Sequence, residues 1–319
     1  MKSVFLPKDT AGNLVHAHGG QILFQDGYYY LIGENRMGRT KVSCWRSRDL
    51  EQWEFRGNLL TLDSPVKKHV VFTEPELDFP GEKASIGQGC NIERPKILYN
   101  RKYGHYVMWM HWERPADYRE ARCAVAVCDR LDGEYTYLGS FNPIGHMSRD
   151  CTVFQEENGE AYFISTARDN QDLHIYKLSE DYLSIDRLVR VLWPGQMREA
   201  PTIFKKDGIY YMLTSGCTGW APNQSSWAWS TAIDGDWSIR YNFGDETTYH
   251  SQPTWVLPVF DSRQGELQYW YFGDRWGGPG DSYYQSAYVL LPIRFGEEHQ
   301  LSLEWQEDID FQANPCKLI

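Results

Sequence analysis

No run of about eighteen apolar residues occurs in the 319-residue sequence, so no membrane-spanning helix and no membrane partner are expected. No C-x-x-C pair occurs among the seven cysteines, and their number is odd. Cys123 and Cys128 lie five residues apart in what reads as one strand, on opposite faces. Such spacing excludes the usual disulfide frameworks and zinc clusters, and reduced thiols suit a cytoplasmic protein. The start of the chain agrees. Val4-Phe5-Leu6 is a brief apolar run cut by Pro7, Lys8 and Asp9, shorter than the core of a secretory leader. Basic residues are outnumbered, 32 against 43 acidic ones, for a net charge of −11. That balance disfavours nucleic acid and anionic lipid as partners, while a neutral sugar is readily accommodated. No G-x-S-x-G, P-loop or dinucleotide fingerprint appears, and helix-period patterns are scarce.

Aromatic residues are plentiful: 13 Trp, 21 Tyr and 14 Phe. They suit strand packing, and some could serve as stacking platforms for sugar rings. One element recurs, a glycine turn followed by a Tyr-rich strand. It reads "DGYYYLIGE", "YGHYVMWMH", "NGEAYFIST", "DGIYYMLTSG" and "QGELQYWYFGD". The turn glycines are Gly27, Gly104, Gly159, Gly208 and Gly265, separated by 77, 55, 49 and 57 residues. A short apolar strand precedes each turn, and further strands such as "KVSCWRS", "RCAVAV", "LHIYKLS", "SSWAWSTA" and "SAYVLLPI" follow. Units of about fifty residues with up to four strands are propeller blades. The fold class is therefore all-β, a five-bladed β-propeller, with residues 1–319 forming a single catalytic domain. The extra length before Tyr103, around "SPVKKHVVFTEPELDFPGEKASIGQG", reads as a long loop in the first blade. The tail "LSLEWQEDID" either completes the last blade or seals the ring.

In a propeller the first strand of each blade runs beside the central axis, so the heads of these strands converge on one opening. The residues there are His18, Glu93, Asp150, Glu199 and Gln252, which precede their turn glycines by 9, 11, 9, 9 and 13 positions. Taken singly, a glutamate there is a solvated loop residue or a partner for a neighbouring arginine such as Arg94 or Arg198. Three acids at one mouth repel one another, and burial raises a carboxyl's pKa. Glycoside hydrolysis uses such crowding, because one carboxylic acid protonates the leaving oxygen while a second group activates water or attacks the sugar.

These motifs resemble glycoside hydrolase family 43, along nearly the whole chain. The stretches that carry the resemblance are "HAHGG", "ERPKILYN", "SRDCTVF", "REAPTIF", "TSGCTGWAPN", "SQPTWVLPV" and "YFGDRW". Together they are similar to the exo-β-1,3-galactanase branch. Closely similar branches hold β-galactofuranosidases and α-L-arabinofuranosidases. The resemblance implies an inverting mechanism with Glu199 as general acid and Asp150 as the acid that tunes and orients it. Most family members carry an aspartate base on the first blade, where this chain has His18 and Gly19. In the galactanase branch a blade-two Glu and a blade-five Gln line the water side, which implies Glu93 and Gln252 here. A neutral amide is a poor base, so Gln252 acts either as an imidic-acid tautomer or by positioning water while Glu93 carries the charge.

The expected activity is exo-acting release of galactose from β-1,3-linked galacto-oligosaccharides. The alternatives are a β-galactofuranosidase or α-L-arabinofuranosidase of the same family, or a silent carbohydrate-binding propeller. Repulsion from Asp150 is expected to keep Glu199 protonated near neutral pH. Candidate sugar contacts are Glu34, His18, Trp112, Asn170, Thr218 and Trp220. His16 and His18 share a strand face, but no further ligand pattern accompanies them, so no metal or other cofactor is expected. The resemblance admits a structural calcium ion in the axial channel, with His250 near enough to approach it, without requiring one. Oligomeric state is not legible.

Overall fold

The turn glycines mark out the architecture of the computed structural model, which describes residues 1–69, 77, 89–114 and 117–311. All five turn glycines adopt positive φ, between +70° and +87°. In two hairpins the preceding Asp26 and Asp207 also lie at φ +50° and +51°, the pairing a two-residue type I′ turn requires.

After a short strand β1 (Val4–Phe5), the chain forms five antiparallel sheets in sequence. Blade one is β2 (His18–Gln25), β3 (Tyr28–Asn35), β4 (Lys41–Ser47) and β5 (Glu54–Thr61). Blade two is β6 (Asn91–Asn100), β7 (His105–Arg114), β8 (Asp117–Cys128) and β9 (Thr136–Phe141). Blade three is β10 (Cys151–Gln155), β11 (Ala161–Ala167), β12 (Asp172–Leu178) and β13 (Ile185–Leu192). Blade four is β14 (Arg198–Lys206), β15 (Ile209–Gly216), β16 (Ser225–Ser230) and β17 (Tyr241–Phe243). Blade five holds β18 (Gln252–Asp261), β19 (Glu266–Arg275) and β20 (Ala287–Phe295). The first strands touch in the order β2, β6, β10, β14, β18, and β18 returns to β2. That closed ring makes the fold a five-bladed propeller.

Blade five takes its outer strand from the other end of the chain. β1 pairs antiparallel with β20, matching Val4 to Val289 and Phe5 to Tyr288. The tail adds β21 (Leu301–Leu303) to the end of β20 and then runs along the N-terminus. There Met1 donates its amino group to the Ile309 carbonyl at 3.1 Å, and Lys2 reaches Asp308 at 3.0 Å. The tail thus seals the ring, while the strand that completes the blade is N-terminal. The long loop expected in the first blade falls mostly at 70–76 and 78–88, outside the described residues. Cys123 and Cys128 do share one strand, β8, and six cysteines of the described residues are free thiols.

Most aromatic residues go into the seams between blades. One apolar cluster joins blades one and two, another joins two and three, another joins three and four, and a larger one joins four, five and one. Trp109 on β7 meets Phe163 on β11 at 4.8 Å between ring centroids, and Phe204 stacks on Tyr211 at 5.1 Å. Replacing fully buried Trp109 by alanine would cost about 3–5 kcal/mol, lost transfer energy plus a cavity. The wedge packing leaves the strand heads polar and free to host a site.

Candidate active site

The heads of the first strands are not regular. In β2, β6 and β14 the register slips just after His18, Glu93 and Glu199, and the next residue is left-handed: Gly19 (φ +60°), Arg94 (+53°) and Ala200 (+52°). β18 slips likewise between Pro253 and Trp255. Such bulges re-aim a side chain and end the pairing, and here they turn the head residues toward the opening. In blade one the bulge also demands glycine for space. A Cβ on Gly20 would sit 1.7 Å from the Ile32 carbonyl oxygen.

Glu199 is half-buried at the head of β14. The Asn170 amide donates to its Oε1 at 2.8 Å, and the Cys217 thiol bonds it as well. Burial pushes its carboxyl up to about 7, and repulsion from Asp150 adds to this against the pull of Arg94. Repulsion was expected to lead; desolvation leads instead. Asp150 accepts the Ala200 N–H at 2.9 Å and pairs with Arg94 at 3.2 Å. So the bulge after Glu199 supplies the donor that ties blade three's acid to blade four.

Glu93, one strand head beyond Asp150, stands in a different field. Its Oε1 receives Arg36 at 2.5 Å and the Tyr118 hydroxyl, and its Oε2 lies 3.1 Å from His111 Nδ1. Burial by itself would raise this carboxyl, but Arg36, His111 and Tyr118 outweigh it and hold it well below the usual carboxylate range. Arg36 also contacts Glu34 at 3.2 Å. Burial and the nearby Glu93 push Glu34 up to about 7 despite that guanidinium. Neither head glutamate pairs with the arginine beside it in sequence. Arg94 turns to Asp150 and Gln252, and Arg198 bonds Thr214 at 3.0 and 2.7 Å.

Gln252 has a fixed orientation. Its oxygen accepts from Arg94 and from the Trp276 indole at 2.8 Å, and its nitrogen donates to the Ser215 hydroxyl at 2.9 Å. Guanidinium and indole nitrogens only donate, so the amide cannot be flipped. Its second N–H is left to meet a water or a sugar oxygen as a donor. A carboxylate does lie where blade one lacks its aspartate, but it comes from blade five. Asp274, fully buried, accepts His18 Nδ1 at 2.9 Å, the Gly19 N–H at 2.8 Å and the Thr254 hydroxyl. With its oxygens so occupied it is an anchor for the "HAHGG" backbone.

The structure brings Glu199, Asp150, Glu93, Gln252, Glu34 and Asn170 into one linked set and separates the other candidates. Trp112 is fully buried in the seam of blades one and two, beneath the Arg122 guanidinium at 5.1 Å, and cannot stack on a sugar. His18 is likewise fully buried, with His16 on one side and Asp274 on the other. Thr218 is exposed, but its hydroxyl serves its own loop, accepting from Asn223 at 2.7 Å and donating to the Ala221 carbonyl at 2.5 Å. Trp220, 36% exposed, stands edge-on to Trp276 at 5.6 Å beside a cavity of about 150 Å³. That cavity is lined by Ser215, Trp220, Asn223, His250, Gln252 and Trp276, on the blade-four and blade-five side of the opening. It offers an apolar face next to the Gln252 amide.

Arg36, Arg94 as a bridge, His111, Tyr118, Asp274 and Trp276 are part of the site without a spacing signal that marks them in the sequence. As a metal centre the site is poorly suited. Glu93, His111 and Asp150 do bring one ligand atom each within 4.8 Å of one another. Arg36 and Arg94 already supply the positive charge there. His16 Nδ1 and His18 Nε2 face each other at 3.0 Å, a hydrogen bond that leaves no shared lone-pair direction for an ion.

Residues 95–254 match Glycosyl hydrolases family 43. An exo-β-1,3-galactanase from Clostridium thermocellum is 43% identical, with a TM-score of 0.83; the match covers 95% of this chain and 66% of that one. This chain thus spans about two thirds of that enzyme's length. A family 43 β-1,3-galactosidase, solved with galactodeoxynojirimycin, is 31% identical over 98% of this chain and 100% of its own, with a TM-score of 0.81. An exo-β-1,3-galactanase from Phanerochaete chrysosporium, solved with β-1,3-galactotriose, is 31% identical over 92% of this chain and 64% of its own, with a TM-score of 0.78. No curated protein matches the chain.

Proposed function

Because the chain belongs to glycosyl hydrolases family 43, we propose that it is an inverting, exo-acting glycosidase that releases galactose from β-1,3-linked galacto-oligosaccharides. The observation that carries this reading is the opposite displacement of two carboxyls at one opening. Glu199 is pushed up to about 7 and Glu93 is held well below its usual range. Pairs of acids driven apart in this way divide the work of proton donor and charged partner. The similarity to galactanases and galactosidases supports galactose as the sugar.

In the proposed reaction Glu199 gives its proton to the glycosidic oxygen as the bond to C1 breaks. The Asn170 amide donates to Oε1 and fixes the orientation of the carboxyl for the transfer. Asp150, held by Arg94 and the Ala200 N–H, adds to the repulsion that keeps Glu199 protonated and is free to orient a sugar hydroxyl. Water attacks C1 from the far face, oriented by the Gln252 N–H, and gives up a proton to the Glu93 carboxylate as its oxygen bonds to C1. The Gln252 oxygen is committed to Arg94 and Trp276, so the amide acts here by positioning water. Trp220 and Trp276 offer apolar faces to the C–H groups of the sugar or its leaving partner.

Proton NMR of the first-formed sugar from a β-1,3-galactobiose or galactotriose tests the reading. α-Galactose should appear first and mutarotate later. A first product with retained β configuration would overturn single-step inversion. Aryl galactosides, arabinofuranosides and galactofuranosides in the same assay decide the sugar, and binding without release would favour a carbohydrate-binding propeller.

A further inference from the structure

Blade two carries a buried pair that the proposed reaction does not use. His111 and Glu113 lie two residues apart on β7 and so face the same side of the blade. The β6–β7 ladder sets His111 directly opposite Glu93 and Glu113 opposite Asn91. His111 Nδ1 lies 3.1 Å from Glu93 Oε2, an ion-pair contact without hydrogen-bond alignment, and its Nε2 is hydrogen-bonded to Glu113 Oε1 at 3.0 Å. His111 is 1% exposed and Glu113 0%. Both Glu113 oxygens accept the Ala121 N–H at 3.0 Å, from a residue at φ +43° where β8 departs from regular strand.

With Nε2 hydrogen-bonded to Glu113, a neutral ring would turn the bare lone pair of Nδ1 toward the Glu93 carboxylate, whereas the imidazolium places positive charge between the two carboxyls. Moving a proton onto Glu93 instead would set it against Arg36 and the Tyr118 hydroxyl, both already donating to that carboxyl. We propose that His111, held as an imidazolium between Glu93 and Glu113, is a positioning residue that keeps Glu93 ionised and oriented on the water side of the site. The inference rests on the reading of Glu93 as the charged water-side group.

Burial opposes the charge on His111, but the two carboxyls outweigh it and push the ring up to about 9. The imidazolium is therefore populated below about pH 9. The other groups facing this cluster are Arg36 and Glu34 from blade one, Tyr118 from β8, whose ring lies 6.0 Å from His111, and Asp150 at the head of blade three. His111 Nδ1 already carries a proton, so a proton that Glu93 takes from the attacking water passes no further into the blade. The imidazolium acts as a fixed charge that returns Glu93 to its anion after each turnover.

The test uses the whole protein labelled with ¹⁵N-histidine, with the His111 signal assigned by its loss in His111→Gln. At pH 7.5 both ring nitrogens of His111 should be protonated, and Glu113→Gln should lower its titration by about one unit or more. In kinetics, His111→Gln should move the acid limb of kcat/KM upward by about one unit or more and leave the alkaline limb in place. A neutral His111 ring at pH 7.5, or a loss in His111→Gln that is equal at every pH, would overturn the proposal. If His111→Gln does not fold, the remaining eight signals are assigned by the other single-histidine variants and the wild-type spectrum decides. A charged His111 in a protein that releases no sugar would instead sink the proposed reaction and leave this charge state standing.

Discussion

Glu199 and Glu93 are the same side chain at the same place in two blades, each just before a bulge, yet their surroundings drive them in opposite directions. At Glu199 burial and Asp150 prevail over Arg94, and the carboxyl rises to about 7. At Glu93 burial is overcome by Arg36, His111 and Tyr118. The difference lies in which strands supply the neighbours. Blades three and four offer the blade-four glutamate a neutral amide and a thiol, Asn170 and Cys217. Blades one and two offer theirs a guanidinium, an imidazole and a phenol. A repeated fold thus presents equivalent positions, and the non-equivalent second and third strands assign them different protonation states.

The sharpest way to break this asymmetry is Glu199→Gln, which keeps the shape and removes the proton donor. On a β-1,3-galactobiose kcat should fall by about 10²–10⁴-fold with a small change in KM. Steady-state kinetics checks it, and near-normal turnover would move the donor role to Asp150. Arg36→Met attacks the other side, since it removes the cation between Glu34 and Glu93. Breaking a buried pair of this kind costs about 3–5 kcal/mol, which urea denaturation would read. It should also raise Glu93 toward the condition of Glu199. The acid limb of kcat/KM would then climb, because Glu93 would take up a proton at a higher pH. A variant with unchanged stability and an unchanged acid limb would show that Arg36 does not set the charge of Glu93.

The repeat was legible because its signals are local. Five glycine turns, five Tyr-rich second strands and the polar residue heading each first strand can be read by spacing alone, and they located Glu199, Asp150, Glu93 and Gln252 together. The closure of blade five was not legible, because Val4–Phe5 is too short to show a strand period and pairs with residues far along the chain. The neighbours that tune the site were missed for a similar reason. Arg36, His111, Tyr118 and Asp274 lie on or beside second and third strands, and only the assembled blade brings them to the strand heads. One correction was within reach. Met108, Met110 and Trp112 alternate along β7 and all enter the seam of blades one and two, while Trp109 enters the seam of blades two and three. In "MHWE" the period of two sends Trp112 into the core and turns its neighbours His111 and Glu113 to the other face.

The central claim is that Glu199 carries the transferable proton and titrates far above an ordinary glutamate. Its raised pKa means that the acid form is populated below about pH 7 and lost above it. The direct test is the pH dependence of kcat/KM for the wild type on a β-1,3-galacto-oligosaccharide and for Glu199→Gln on an aryl β-galactoside whose leaving group departs without protonation. The wild type, assayed on the oligosaccharide, should lose activity above about pH 7. The variant should retain turnover of the activated substrate with that alkaline limb gone. The same alkaline limb persisting in Glu199→Gln would assign the titration to another group and contradict the account.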